Sequence, residues 1–217
     1  WIETCCRWMI DGANAVGHAH NAGIVHRDVK PSNIIIGLDG RARLFDLGLA
    51  HMVDQPGLTR SGDFTGTPYA MSPEQLTGRR GDIDRRTDVF SLGVTLYELL
   101  TRRRPFDGAS TAQVFKQITD RDPTPPRRVD PSLPADLETI CLTALEKAPD
   151  ARYPSMDEFA ADLQRLLEFT PVHARPLSLV QRAARFVRRN PARASALALA
   201  LALVIGVPAG SLWAHGA

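Results

Sequence analysis

The chain has 217 residues, 44% hydrophobic and 23% charged, a balance that supplies one good core and excludes a disordered chain. Its net charge of +2 is too small to imply a nucleic-acid partner. Cys5, Cys6 and Cys141 have neither paired nor metal-ligand spacing, since neighbours on a helix point about 100° apart, so they read as reduced thiols of a cytosolic core.

Residues 1–21 place Ile2, Cys5, Cys6, Met9, Ile10, Ala13 and Val16 at helical spacing, the pattern of a helix packed on one face. The sequence starts on Trp1 without a signal peptide and already reads as the middle of a domain, so a fragment is expected. A polar loop over 26–33 leads into two apolar runs, 34–36 and 42–44. They flank Asp39-Gly40, which is the chemistry of a short β-hairpin. The Gly/Ser/Thr-rich stretch 54–66 has no periodicity and reads as an exposed loop. Residues 88–100 are apolar nearly all round, which predicts a buried central helix. Further helices are expected over 111–119, 134–147 and 155–169. Ser155 caps the last, with Glu158 completing a capping box. The proline-rich segment 122–134 reads as loop, and no internal repeat is visible. The globular part is thus mainly α with one small β-hairpin.

A basic stretch, 175–193, carries Arg182, Arg185, Arg188, Arg189 and Arg193. The 21 residues that follow, 194–214, contain no charged side chain. At about 1.5 Å per residue such a helix spans roughly 30 Å, one bilayer core, so a transmembrane helix is expected ahead of a buried soluble one. Arginines on its N-terminal side put that side in the cytoplasm and can hold anionic lipid head groups. Gly206 and Gly210 have the spacing of a helix-pairing face, which would make a homodimer, but an Ala/Gly-rich run produces that spacing by chance as readily.

The loop HRDVKPSN, 26–33, concentrates the chemistry. The Asp28 carboxylate can accept a proton from an attacking hydroxyl, Lys30 can neutralise phosphate, and the Asn33 amide oxygen can ligate Mg²⁺. Asp46, in the sequence Asp-Leu-Gly, adds a second carboxylate beside a flexible glycine, so Asn33 and Asp46 make a sensible metal pair. These groups suit phosphoryl transfer, which needs positioning and charge neutralisation more than covalent chemistry.

The same loop resembles the protein-kinase catalytic loop, and Asp46-Leu47-Gly48 is similar to that family's DFG. Residues 65–74, TGTPYAMSPE, resemble the end of the activation segment. Residues 88–106 resemble the long central helix of the kinase C-lobe, and 147–155, KAPDARYPS, its late arginine motif. The resemblance covers residues 1 to about 169. It implies the C-lobe of a bacterial serine/threonine kinase using ATP and Mg²⁺ on protein substrates, followed by a linker (170–193), a membrane span (194–214) and a short tail (215–217).

By that resemblance Asp28 is the catalytic base or hydroxyl-orienting group, and Lys30 contacts the γ-phosphate and marks serine/threonine specificity. Asn33 and Asp46 hold Mg²⁺, and Thr67 lines the substrate pocket. Arg27 pairs with a phosphorylated activation-loop residue, with Thr59 and Ser61 as the candidate phosphosites. Glu74 and Arg152 form a buried ion pair, and Asp88 accepts hydrogen bonds from the catalytic-loop backbone. Leu47 stands where the family has Phe, and Tyr69-Ala70 stands where it usually has a small residue followed by Tyr. No glycine-rich phosphate loop, strand lysine or helix glutamate precedes His26. The N-lobe is therefore absent from this sequence, and the chain alone is expected to be inactive. The layout implies a single-pass membrane protein with a cytoplasmic kinase lobe; the competing reading is a non-catalytic, kinase-like membrane scaffold.

Overall fold

The computed structural model describes residues 1–46, 68–77 and 83–175, together with Val187, Ser195 and Ala196. Trp1–Arg175 forms one compact unit. The expected phosphosites Thr59 and Ser61, the pocket residue Thr67, and the apolar run 194–214 (apart from Ser195 and Ala196) lie outside the described residues.

The first helix, α1 (Ile2–Asn21), buries Cys5, Cys6, Met9, Ala13 and Val16, all of them at most 1% exposed. Burial pushes the Cys5 and Cys6 thiols up, to about 11 and about 12. That keeps them protonated and unreactive.

Strands β1 (Ile34–Ile36) and β2 (Ala42–Leu44) pair antiparallel, with Ile34 opposite Leu44 and Ile36 opposite Ala42. The turn closes through Gly40, whose φ of 76° is left-handed and whose N–H donates to the Gly37 carbonyl at 2.9 Å. Two side chains of α1 fasten this hairpin to the helix. Trp8 donates from Nε1 to the Gly40 carbonyl at 3.0 Å. Asp11 accepts from the Arg41 guanidinium at 2.6–2.9 Å and from the Ala42 N–H at 3.1 Å.

After the short helix α2 (Pro73–Thr77) comes the central helix α3 (Arg86–Thr101), buried along nearly its whole length as its apolar pattern requires. It starts two residues before the predicted position. Helix α4 (Thr111–Asp120) is capped by the Ser110 hydroxyl. The segment 122–134, expected to be loop, contains one helical turn, α5 (Pro126–Val129). Proline tolerates that position because a first-turn N–H has no helical acceptor anyway. Helix α6 (Ala135–Ala144) stops three residues short of the expected end, because Ala148 must be extended ahead of Pro149. In α7 (Met156–Leu167) the Ser155 hydroxyl accepts from the Glu158 N–H, the hydroxyl half of the expected capping box. Asp162, fully buried, accepts from Tyr153 Oη, Arg165 Nη1 and the N–H groups of His173 and Ala174 at 2.8–3.0 Å. It pins the chain that leaves α7.

The expected membrane localisation is corrected here: among the described residues, no helix is long and apolar enough to cross a membrane. Helix α1 has the length, but it carries Glu3, Arg7 and Asp11, and α3 has only 16 residues.

The core depends on close helix contact at Gly93. A Cβ there would lie 2.8 Å from the Cβ of Ala144 on α6 and 3.3 Å from its main-chain carbon. Gly93→Ala should therefore force α3 and α6 apart, costing about 1–3 kcal/mol and lowering Tm by about 3–10 °C in a thermal melt. At Gly12 the added Cβ meets Leu92 at an ordinary 3.5 Å. Gly12→Ala should leave Tm unchanged or raise it, by up to about 1 kcal/mol of stability.

Candidate functional site

The polar loop between α1 and β1 hangs from one carboxylate. Asp88, in the first turn of α3 and fully buried, accepts the His26 N–H at 2.8 Å and the Arg27 N–H at 2.7 Å. Its third donor is His20 Nε2 at 2.7 Å, from the last turn of α1. A carboxylate only accepts, so this nitrogen carries the proton. Nothing in the sequence singled out His20. Its partner is 68 residues away, and the only local signal is a histidine at a helix C-terminus.

Arg27 adopts a left-handed backbone, φ 65°, unusual for a residue with a side chain. The conformation is held at both ends: Asp88 takes its N–H, and Gln75 Nε2 donates to its carbonyl at 2.8 Å. Gln75 also accepts the Ser72 N–H at 2.9 Å, tying α2 to the loop. Gln75 is a second residue that sequence reasoning missed.

Beyond Arg27 the three reactive side chains converge. Lys30 Nζ lies 2.7 Å from Asp28 Oδ2, and Asn33 Nδ2 donates to the same oxygen at 3.2 Å and to the Asp28 carbonyl at 2.9 Å. All three are partly or largely shielded from solvent. Among the described residues, Asp28 Oδ1 has no partner, which leaves it free to accept from a ligand hydroxyl. Because both amide hydrogens of Asn33 are committed to Asp28, its amide oxygen is the atom available to a cation.

The hairpin brings the second carboxylate in. The register Ile34–Leu44 continues through a 2.8 Å bond from the Phe45 N–H to the Asn33 carbonyl, so Asp46 is the residue next in chain to the one bonded to Asn33. Asp46 is exposed, its φ is 66°, and among the described residues it makes no hydrogen bond or ion pair. One free carboxylate and one amide oxygen are hard donors that fit Mg²⁺, an ion normally completed by waters and phosphate oxygens. Among the described residues no group of three or more His, Cys, Asp or Glu side chains is placed to hold a metal. The pair therefore relies on a ligand's oxygens to complete any shell.

Glu74 and Arg152 meet in a buried, bidentate ion pair, with Nη1–Oε1 2.7 Å and Nη2–Oε2 2.8 Å. All five guanidinium hydrogens are used, the rest going to the carbonyls of Glu146, Arg86 and Lys147 at 2.6–3.0 Å. Thr87 Oγ1 donates to Glu74 at 2.8 Å. The pair thus locks α2 to the turn before α7.

A model of the protein kinase domain matches residues 3–163, and the chain belongs to that family. The chain is similar to a probable serine/threonine-protein kinase of Streptomyces coelicolor, 40% identical over 162 residues that make up 74% of this chain and 24% of the relative. It is also similar to the serine/threonine-protein kinase PknB of Mycobacterium tuberculosis, 41% identical over 169 residues, 76% of this chain and 26% of the relative. A probable serine/threonine-protein kinase of Corynebacterium efficiens is 39% identical over 164 residues, 73% of this chain and 24% of the relative. The chain spans about a quarter of the length of these relatives.

The Glu74–Arg152 pair generates two predictions. Arg152→Met strands a buried carboxylate and should destabilise the fold by about 3–5 kcal/mol in urea unfolding, with much of the loss recovered in E74Q/R152M. Burial pushes the Glu74 carboxyl up, but Arg152 and Thr87 outweigh it and hold the group below its ordinary 4.5. A carboxyl lowered on folding stabilises the protein above pH 4.5, and this contribution fades as the pH falls through the lower folded-state value. Acid titration followed by circular dichroism should therefore show a shallower stability loss below pH 4.5 for E74Q/R152M than for the wild type.

Proposed function

We propose that this chain supplies the catalytic-loop lobe, residues 1–169, of a kinase that transfers the γ-phosphoryl group of ATP to serine or threonine hydroxyls of proteins. The observation that carries the reading is the Asp28 carboxylate. One oxygen is held by Lys30 at 2.7 Å and Asn33 at 3.2 Å, and the other has no partner among the described residues.

In this reading the open Asp28 oxygen accepts and orients the substrate hydroxyl, taking its proton as the new bond forms. Lys30 shares its charge between Asp28 and the transferring phosphate. Asn33 and Asp46 hold Mg²⁺, and the bound Mg·ATP supplies the phosphoryl group and neutralises its charge. Thr67 lines the substrate pocket. Arg27 receives a phosphorylated Thr59 or Ser61, a role supported by its buried Nε, which has no hydrogen-bond partner among the described residues. The serine/threonine specificity of the named relatives supports the same substrate class.

The test is phosphate transfer from ATP to a serine- or threonine-containing protein by the full-length gene product. Activity should vanish on Mg²⁺ chelation and fall by about 10²–10⁴-fold in Asp28→Asn. An Asp28→Asn enzyme that keeps the wild-type rate would sink this reading. A wild-type product with no transfer under any condition would favour the non-catalytic scaffold.

A further inference from the structure

Arg102, Arg103 and Arg104 form an exposed basic turn at the end of α3. Among the described residues, none of the three is in an ion pair. Arg102 caps the helix in the left-handed conformation, φ 55° and ψ 25°, with its N–H donating to the Glu98 carbonyl at 2.8 Å. Glycine suits that position best, because a Cβ there crowds the backbone. The chain instead carries a long cation whose head makes no hydrogen bond or ion pair among the described residues. The turn is nevertheless tied to the helix: the Thr101 hydroxyl shares its hydrogen between the Tyr97 carbonyl at 2.8 Å and the Arg103 carbonyl at 3.0 Å, and accepts the Arg103 N–H at 3.2 Å.

Arg104 connects this turn to the segment that precedes α2. Its guanidinium lies 3.7 Å from the centre of the Tyr69 ring, a stacking that leaves its edge N–H groups available. Tyr69 belongs to a 3₁₀ turn, Pro68–Ala70, whose Ala70 carbonyl accepts from Ser91 Oγ at 2.8 Å. Two residues further on, Ser72 is bonded to Gln75, and Gln75 to the Arg27 carbonyl. The arginine turn is therefore coupled to the loop that holds Asp28 through contacts between described residues. Glu98, one turn back on α3, is partly buried and forms no ion pair with the three arginines, although it feels the charge of Arg104.

We propose that Arg102, Arg103 and the Tyr69-stacked Arg104 form a specificity subsite that selects protein substrates carrying aspartate or glutamate beside the phosphoacceptor; this rests on the kinase reading above. The cluster is cationic, and its backbone is held by hydrogen bonds at Thr101. Its Arg104 lies on Tyr69, two residues along the chain from Thr67, which the kinase reading puts in the substrate pocket. This geometry also gives the Tyr69-Ala70 order a purpose, since the ring at position 69 is the one that Arg104 stacks on.

The test is direct binding of three matched fluorescent peptides to the purified 217-residue chain, read by anisotropy. Each peptide has one serine, flanked by Asp/Glu, by Asn/Gln or by Lys. The acidic peptide should bind about five- to tenfold more tightly than the neutral one, and about 0.5 M salt should erase the difference. R102G/R103Q and R104Q should each lower the preference. Because R102G relieves the left-handed strain, a Tm equal to or above that of the wild type would show that the loss is not unfolding.

Equal binding of the acidic and neutral peptides would overturn the subsite, as would a preference that survives both variants. Arginine-dependent binding to phosphatidylserine vesicles with no peptide preference would overturn it in favour of a lipid contact. Absence of binding by all three peptides would also overturn it. Since these assays involve no phosphate transfer, the Asp28→Asn result separates failure of the subsite from failure of the kinase reading.

Discussion

The fold and the site both depend on the burial of one charged carboxylate. Asp88 sits in the first turn of the core helix with no exposure to solvent, where a lone anion would be untenable. Its three donors come from two other places, the end of α1 and the loop after it. The loop therefore has no independent geometry. It takes the shape in which two consecutive N–H groups can face Asp88, and that shape requires the left-handed Arg27. Everything downstream follows from this placement, because Asp28 and Lys30 are the next side chains along.

A second set of polar contacts locates the partner residues. The hairpin is too short to be stable alone, and α1 fixes it through Trp8 and Asp11. That docking leaves Asn33 just before β1 and Asp46 two residues after β2, at the same open end of the two strands. Glu74 and Arg152 do the same for α2, joining it to a segment 78 residues away. Such pairs add little net stability over apolar side chains of equal volume, but they fix one arrangement, because a misaligned alternative leaves a charge unmatched.

Much of this architecture could be read from the sequence. The period of the apolar residues located α1, α3, α4 and α7 to within two residues, and Asp39-Gly40 between two apolar runs located the hairpin. The proximity of Asp28, Lys30 and Asn33 was legible because they share one short loop. What escaped was long-range: His20 on Asp88, Gln75 on Arg27, Trp8 on Gly40 and Arg104 on Tyr69. None of these has a periodic or turn signature, since each is a meeting of surfaces created by packing. Proline also misled the reading: α6 ended early ahead of Pro149, and the turn that starts at Pro126 fell in a segment read as loop. The membrane expectation rested on hydropathy over 194–214, outside the described residues, whereas the described helices are either amphipathic or too short for a span.

The first and last helices of the lobe lie against one another. A Cβ on Gly17 of α1 would come within 3.5 Å of Met156, the first residue of α7. Met9 and Val16 on one side and Phe159 and Leu163 on the other belong to a single core. On a ribosome, the part of the α1 stripe that faces α3 can be covered once α3 has emerged, but the part that faces α7 waits until about 140 further residues have been made and have left the exit tunnel. The loop that this closes is nearly the whole lobe, and its entropy is lost in one step. The lobe should thus assemble late and cooperatively, and its half-made chain is the form most in need of a chaperone.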